Sequence, residues 1–307
     1  MSSDALPAAS RPNLLCIGAA KAGTTWLANV FSAHPDVFVP PQKELNALHY
    51  ADLEDRLTEY AAYFASAGAA RVRGDFSVRY LSSPRAPQAA RRYVPDATIL
   101  AVLRNPVDQV QSHYWHLLRQ NFHAAEPVAH PPGIFEALEQ YPDLLLEPAL
   151  YGKHLARWSE AFPRERIVLI RHESLAQGLN SALEGVVRQL GIAPFDFDAA
   201  ARDVADSDSR RGVRPRGGAL GAIYPRLYTA VVRGPYQWLK RSAGVAAAER
   251  LKRVLRLKQA SEAVFFQPGY PKIGQRERVA LYGRFRPDLE QLADTFNFEI
   301  RGWDPGP

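Results

Sequence analysis

The 307-residue chain contains one cysteine and no apolar run of the length that crosses a membrane. A spanning helix needs roughly 20 consecutive apolar residues, so no transmembrane segment is expected. The lone Cys16 cannot form an intramolecular disulfide, and its place in Leu14-Leu15-Cys16-Ile17 marks it as a buried structural thiol. Residues 1–12 carry Ser, Ala and Pro without the basic-then-apolar order of a secretory signal. They are expected to form a disordered lead, and the cytoplasm is the expected compartment. Internal repeats, zinc-finger spacing and an RNP-like aromatic signature are also lacking, which argues against solenoid and nucleic-acid modules. The pair His113/His116 has no carboxylate or cysteine in ligand spacing beside it, so no metal is expected.

Hydrophobic residues make up 47% of the chain and no stretch reads as a flexible linker, so residues 13–307 are expected to form a single domain. The charge balance is 38 basic against 32 acidic residues, a net +6. This mild, dispersed excess favours an anionic partner and does not require nucleic acid.

The first informative segment is an apolar run, Asn13 to Gly18, followed by Gly18-Ala19-Ala20-Lys21-Ala22-Gly23-Thr24-Thr25-Trp26-Leu27. It reads as a buried parallel strand, a glycine-bounded loop and the start of a helix. Such a loop turns backbone N–H groups toward one point, and the helix N-terminus adds partial positive charge, which suits a phosphate. Lys21 adds a point charge, and Thr24 and Thr25 add hydroxyl donors. The Walker pattern G-x-x-x-x-G-K-[ST] would place its lysine where Thr24 stands. Here the lysine lies within the loop.

The second segment, Thr98 to Trp115, is again a strand that passes into a helix, with Asn105 as cap and Pro106 in the first turn. Arg104 falls at the carboxyl end of that strand, the edge at which open α/β sheets bind ligands. Ser112 follows two turns along the helix. An arginine fork and a hydroxyl converging there would grip a phosphate. A kinase would want an acidic magnesium ligand after such a strand, and this one ends in Arg104.

Together the two segments resemble the PAPS-dependent sulfotransferases, whose donor is 3′-phosphoadenosine 5′-phosphosulfate. The flavour is bacterial and close to the glycan, heparan sulfate type branch. The resemblance implies a P-loop-like α/β fold, three layers with a central parallel sheet. It assigns the 5′-phosphosulfate to Lys21, Ala22, Gly23, Thr24, Thr25 and Trp26, and the 3′-phosphate to Arg104 and Ser112. In the glycan branch a glutamate in a K-E-x-x-hydrophobic-hydrophobic segment is the general base, and Lys43-Glu44-Leu45-Asn46-Ala47-Leu48 matches that form. Glu44 is therefore the candidate base and His49, whose imidazole titrates near neutrality, is its rival. Asp75 aligns with an acidic residue of the family's second strand, either as a site group or as a structural partner for an arginine. Phe76 stands where the family often has a lysine, which leaves Arg73, Arg79 or Lys21 to supply that charge.

The basic, glycine-rich run from Ser209 to Gly218 falls where the family has a loop over the nucleotide's 3′ end. It offers Arg210, Arg211, Gly212 and Arg214 as donor contacts, with a solvated cationic loop as the alternative reading. Aromatic and basic residues interleave from Tyr224 to Lys258, as an acceptor lid or a solvated amphipathic helix. The expected acceptor is a hydroxyl or amine of a glycan, a glycolipid or a specialised metabolite; the oligomeric state is open. The competing functions are a P-loop kinase or NTPase, and a nucleotide-binding protein without turnover.

Overall fold

A computed structural model describes residues 6–7, 10–122, 132–208, 213–215 and 266–306. The chain divides into two compact units: residues 1–110 with 141–209 and 274–307, and residues 111–140 with 210–273.

The first unit is built on five parallel strands, β1 (Leu14–Gly18), β2 (Val37–Phe38), β3 (Val72–Phe76), β4 (Thr98–Leu103) and β5 (Ile167–Arg171), in the order β2-β3-β1-β4-β5. All five residues of β1 and all six of β4 are buried, as expected for central strands covered on both faces. The helices of this unit are α1 (Thr24–Phe31), α2 (Leu53–Ala62), α3 (Ala86–Tyr93), the first turns of α4 (Pro106–Phe122), α6 (Pro142–Leu145), α7 (Tyr151–Ala161), α8 (His172–Leu175), α9 (Leu179–Leu190), α10 (Phe197–Asp208) and α11 (Gln275–Phe296). From β1 the chain crosses through α1 toward β2 and β3. It then returns over β1 through α3 to β4 and continues through α7 to β5.

These crossovers run in opposite directions, and right-handed connections therefore put α1 on one face and α3 and α7 on the other. The packing agrees: α10 packs on α1 and α9, while α7 packs on α3 and α11. The expected three-layer α/β fold with a central parallel sheet is what forms. Its direction reverses between the adjacent strands β1 and β4, so a crevice opens at their carboxyl ends. The two segments singled out in the sequence both turn from strand to helix there.

The second unit contains the rest of α4, α5 (Ile134–Gln140) and an antiparallel pair, β6 (Val213–Pro215) with β7 (Phe266–Pro268). Within it the Tyr114 hydroxyl donates to the Pro132 carbonyl at 2.9 Å, and Trp115 stacks on Tyr270 at 5.9 Å between ring centroids. Among the described residues no helix is long and apolar enough to cross a membrane.

Candidate active site

The loop between β1 and α1 is shaped by two left-handed residues, Lys21 (φ 66°) and Gly23 (φ 81°). Glycine adopts that conformation at little cost; a lysine does so only where its surroundings enforce it. Three side chains provide the enforcement by holding successive carbonyls. Gln109 Nε2 donates to Ala20 O at 3.2 Å, Arg104 to Lys21 O at 3.0 Å and His172 Nδ1 to Ala22 O at 3.0 Å. In a trans peptide the N–H points opposite to the preceding C=O. Holding the Lys21 and Ala22 carbonyls therefore turns the N–H groups of Ala22 and Gly23 the other way. The first of these closes a turn onto Ala19 O, while Gly23 begins α1.

Gly23 is the N-cap of α1, no side chain caps this end, and the first turn holds no acidic residue. The leading N–H groups of the helix and its positive dipole are thus not compensated by an internal carboxylate. Ala22 and Thr24 are buried; Lys21, Gly23, Thr25 and Trp26 are half-buried around this point. The arrangement suits an anion.

Arg104 enters from the end of β4, as its sequence position implies. Its own carbonyl accepts the buried Tyr151 hydroxyl at 3.0 Å. Asn105 caps α4 as expected, with Oδ1 accepting from Val107 N at 3.0 Å and its carbonyl from Gln109 N at 2.9 Å. Glu173 Oε1 and Trp303 O complete the anchorage by accepting from Asn105 N and Nδ2. Ser112 is buried on α4 and belongs to the second unit.

His172 and Gln109 are loop-positioning groups that motif spacing did not reveal. Burial, and then the charge of Arg104, hold the His172 imidazole below its ordinary pKa. It therefore acts at neutral pH as a neutral Nδ1–H donor to the loop.

The Lys43-Glu44 segment meets the same point. Lys43 Nζ donates to Thr25 Oγ1 at 3.0 Å and to Glu44 Oε1 at 2.9 Å, and lies 3.5 Å from Thr24 Oγ1. Glu44 Oε2 accepts from Val78 N at 3.0 Å. The carboxylate is thereby fixed on both oxygens.

Asp75, at the end of β3, is buried and has no arginine partner among the described residues. Oδ2 accepts the Tyr60 and Tyr80 hydroxyls, each at 2.8 Å, and Oδ1 accepts Ser77 Oγ at 2.6 Å. Burial pushes its carboxyl above the ordinary range, against the pull of these hydroxyls. Two of them also hold the Glu44 segment, because Ser77 Oγ accepts from Asn46 N at 3.0 Å and Tyr80 Oη from Leu48 N at 3.3 Å.

His49 lies one turn further on, with Nδ1 at 3.1 Å from Ser83 Oγ. That oxygen already accepts from Arg85 N and Ala86 N at 3.3 and 3.2 Å. Its proton is consequently directed to Nδ1, which puts the imidazole proton on Nε2. Burial and the charges of Arg79 and Arg85 lower the His49 pKa.

Arg73 is directed away from the carboxyl edge, donating to Arg11 O at 2.8 Å and Ala70 O at 3.0 Å. Arg79 is exposed in the turn after β3. Arg210, Arg211, Gly212 and the 219–258 stretch lie outside the described residues, as does the Arg214 side chain.

A model of the sulfotransferase domain matches residues 11–204, well over half of the chain, including Lys21, Glu44, Arg104 and Ser112. The chain belongs to the sulfotransferase family. The relatives of this sulfotransferase include a bifunctional heparan sulfate N-deacetylase/N-sulfotransferase 1 of Caenorhabditis elegans, 25% identical over 204 residues. The human N-deacetylase/N-sulfotransferase 2 is 28% identical over 203 residues. These matches take in 63% and 60% of the present chain but only 24% and 22% of the relatives, so the chain spans about a quarter of their length. A solved sulfotransferase of Alicyclobacillus acidocaldarius has the same fold, with a TM-score of 0.62, 21% identity and coverage of 95% of this chain and 98% of that one. The sulfotransferase resemblance read from the sequence is borne out.

Proposed function

We propose that this sulfotransferase moves a sulfuryl group from PAPS to an amine or hydroxyl of a saccharide, with Glu44 as general base. The observation that carries this reading is that one ammonium, Lys43, joins the Glu44 carboxylate to the threonine at the start of α1. A candidate base and an anion-binding helix terminus are thus within one side chain of each other, as a transfer between donor and acceptor requires.

In the proposed reaction the acceptor N–H or O–H attacks sulfur while the bond from sulfur to the bridging phosphate oxygen breaks. The electron pair leaves with 3′,5′-ADP, and Glu44 takes the acceptor proton. Lys21, the N–H groups at the start of α1 and the Thr24 and Thr25 hydroxyls offset charge on the departing phosphate. Arg104, with Ser112, binds the 3′-phosphate that separates PAPS from ATP. Arg210, Arg211, Gly212 and Arg214 are proposed as further contacts of the donor.

Glu44 is preferred to His49 because its two oxygens can accept a proton, whereas His49 keeps its lone pair on Nδ1, engaged by Ser83, and a proton on Nε2. The saccharide amine is favoured by the heparan sulfate N-sulfotransferases among the relatives, and the net +6 charge fits an acidic glycan.

Transfer of radiolabelled sulfuryl from PAPS to de-N-sulfated heparin, compared with its N-acetylated form, tests the reading. Label is expected in the free-amine polymer, with Glu44→Gln slower by about 10²- to 10⁴-fold. Equal turnover by Glu44→Gln would remove the glutamate from the mechanism.

A further inference from the structure

We propose that Lys43 is a second donor-binding cation, reading the 5′ end of the nucleotide beside Lys21. The proposal rests on the functional reading above and adds a residue to it.

The backbone explains how Lys43 comes to be there. Neighbouring side chains of an extended segment point to opposite sides, so Lys43 and Glu44 would ordinarily diverge. Glu44 instead has φ 60° and Asn46 φ 55°, both left-handed and both non-glycine. Such a conformation persists only where it is over-determined, and here four contacts do so. Glu44 N donates to Phe76 O at 3.3 Å, Glu44 O accepts Asn46 Nδ2 at 2.8 Å, Asn46 N donates to Ser77 Oγ, and Glu44 Oε2 accepts Val78 N. The twist brings two consecutive side chains together, with Lys43 Nζ against the start of α1.

The chemistry at Nζ then points to an anion. An ammonium has three donors and no acceptor. Two are taken by Thr25 Oγ1 and Glu44 Oε1, and the third has Thr24 Oγ1 only at 3.5 Å. By donating to Thr25 Oγ1, Lys43 also leaves that hydroxyl's own proton to donate, polarised by the charge behind it. A cation and a polarised hydroxyl therefore face the uncapped helix end together. The neighbouring strand offers no substitute, because Phe76 is apolar, Arg73 is tied to the opposite edge and Arg79 is exposed. The lysine side chain is 18% exposed, shielded enough from solvent for its charge to count.

The test compares calorimetric affinities for 3′,5′-ADP and for 3′-AMP, which lacks the 5′-phosphate, on wild type, Lys43→Met and Lys43→Arg. Lys43→Met is expected to weaken 3′,5′-ADP by about 10- to 100-fold, the range of a hydrogen bond to a charged group, and to leave 3′-AMP within about twofold. Lys43→Arg should recover part of the loss. Equal weakening of both ligands would show a merely structural lysine, and no weakening would show a bystander; either overturns the proposal. Wild-type protein that binds 3′,5′-ADP no better than 3′-AMP would overturn the functional reading first, and the role of Lys43 with it.

Discussion

Arg104 acts twice at the residue scale: it holds the Lys21 carbonyl and presents charge at the carboxyl end of β4. Its loss should therefore weaken any nucleotide somewhat, through the loop, and a 3′-phosphorylated one much more. Cys16 makes a different prediction. It is fully buried in β1, and burial pushes its thiol up to about 12. Reactivity belongs to the thiolate, so at pH 8 roughly one molecule in ten thousand carries the reactive form. Native protein should resist iodoacetamide at pH 8 over hours, while denatured protein is labelled at once. Rapid native labelling would show that β1 opens or is misplaced. The same scale separates the two candidate bases, since a His49→Asn variant should retain turnover within about tenfold while Glu44→Gln loses about 10²-fold or more.

Hydroxyl relays matter most at the scale of elements. Tyr80 accepts from Leu48 N and donates to Asp75, so the turn after β3 holds the segment that carries Glu44. Tyr80→Phe leaves two buried polar groups short of a partner and should cost about 1–3 kcal/mol, read as a lower denaturant midpoint, together with a fall in turnover as Glu44 loses its register. On the opposite face, α7 and α11 touch backbone to backbone at Gly152. A Cβ there would overlap the Asp288 carbonyl oxygen, and the Asp288 carboxylate accepts from Gly152 N at 2.9 Å and Lys153 N at 2.8 Å. Gly152→Ala should cost about 1–3 kcal/mol, read as a lower denaturant midpoint. A wild-type denaturation midpoint in this variant would contradict the helix packing.

These elements also show what the chain disclosed before folding. The strands that end in Gly18 and Leu103 and the helices opening at Thr24 and Pro106 were legible, because a buried run followed by loop glycines or an Asn-Pro cap is a local signal. Glu44 was legible through its neighbours in sequence. The position of Lys43 against the start of α1 was not, since it depends on left-handed turns at Glu44 and Asn46 that non-glycine residues seldom adopt. Nor were the partners of Asp75 or the grip of His172 on Ala22, which join residues separated by as many as 150 positions. Arg73 illustrates the reverse case. It lies one residue into β3, far from the carboxyl end, so its distance from the site follows from strand direction alone.

Direction reversal in one parallel sheet brings the ends of β1 and β4 side by side and lets Arg104 reach the loop of Lys21. A ligand bound at that junction ties together the segments after two central strands, and it should stabilise the fold by mass action: about 2.7 kcal/mol at a hundredfold excess over Kd. Thermal unfolding with 3′,5′-ADP should therefore shift upward with ligand concentration, and Arg104→Ala should blunt the shift. The central claim, that this junction is built for a 3′-phosphorylated nucleotide, is tested most directly by calorimetric titration of wild type and Arg104→Ala with 3′,5′-ADP and with 5′-AMP. The account predicts tighter binding of 3′,5′-ADP by about tenfold or more in wild type and loss of that preference in Arg104→Ala. Equal affinity of wild type for the two nucleotides, or a preference that survives the substitution, would contradict it.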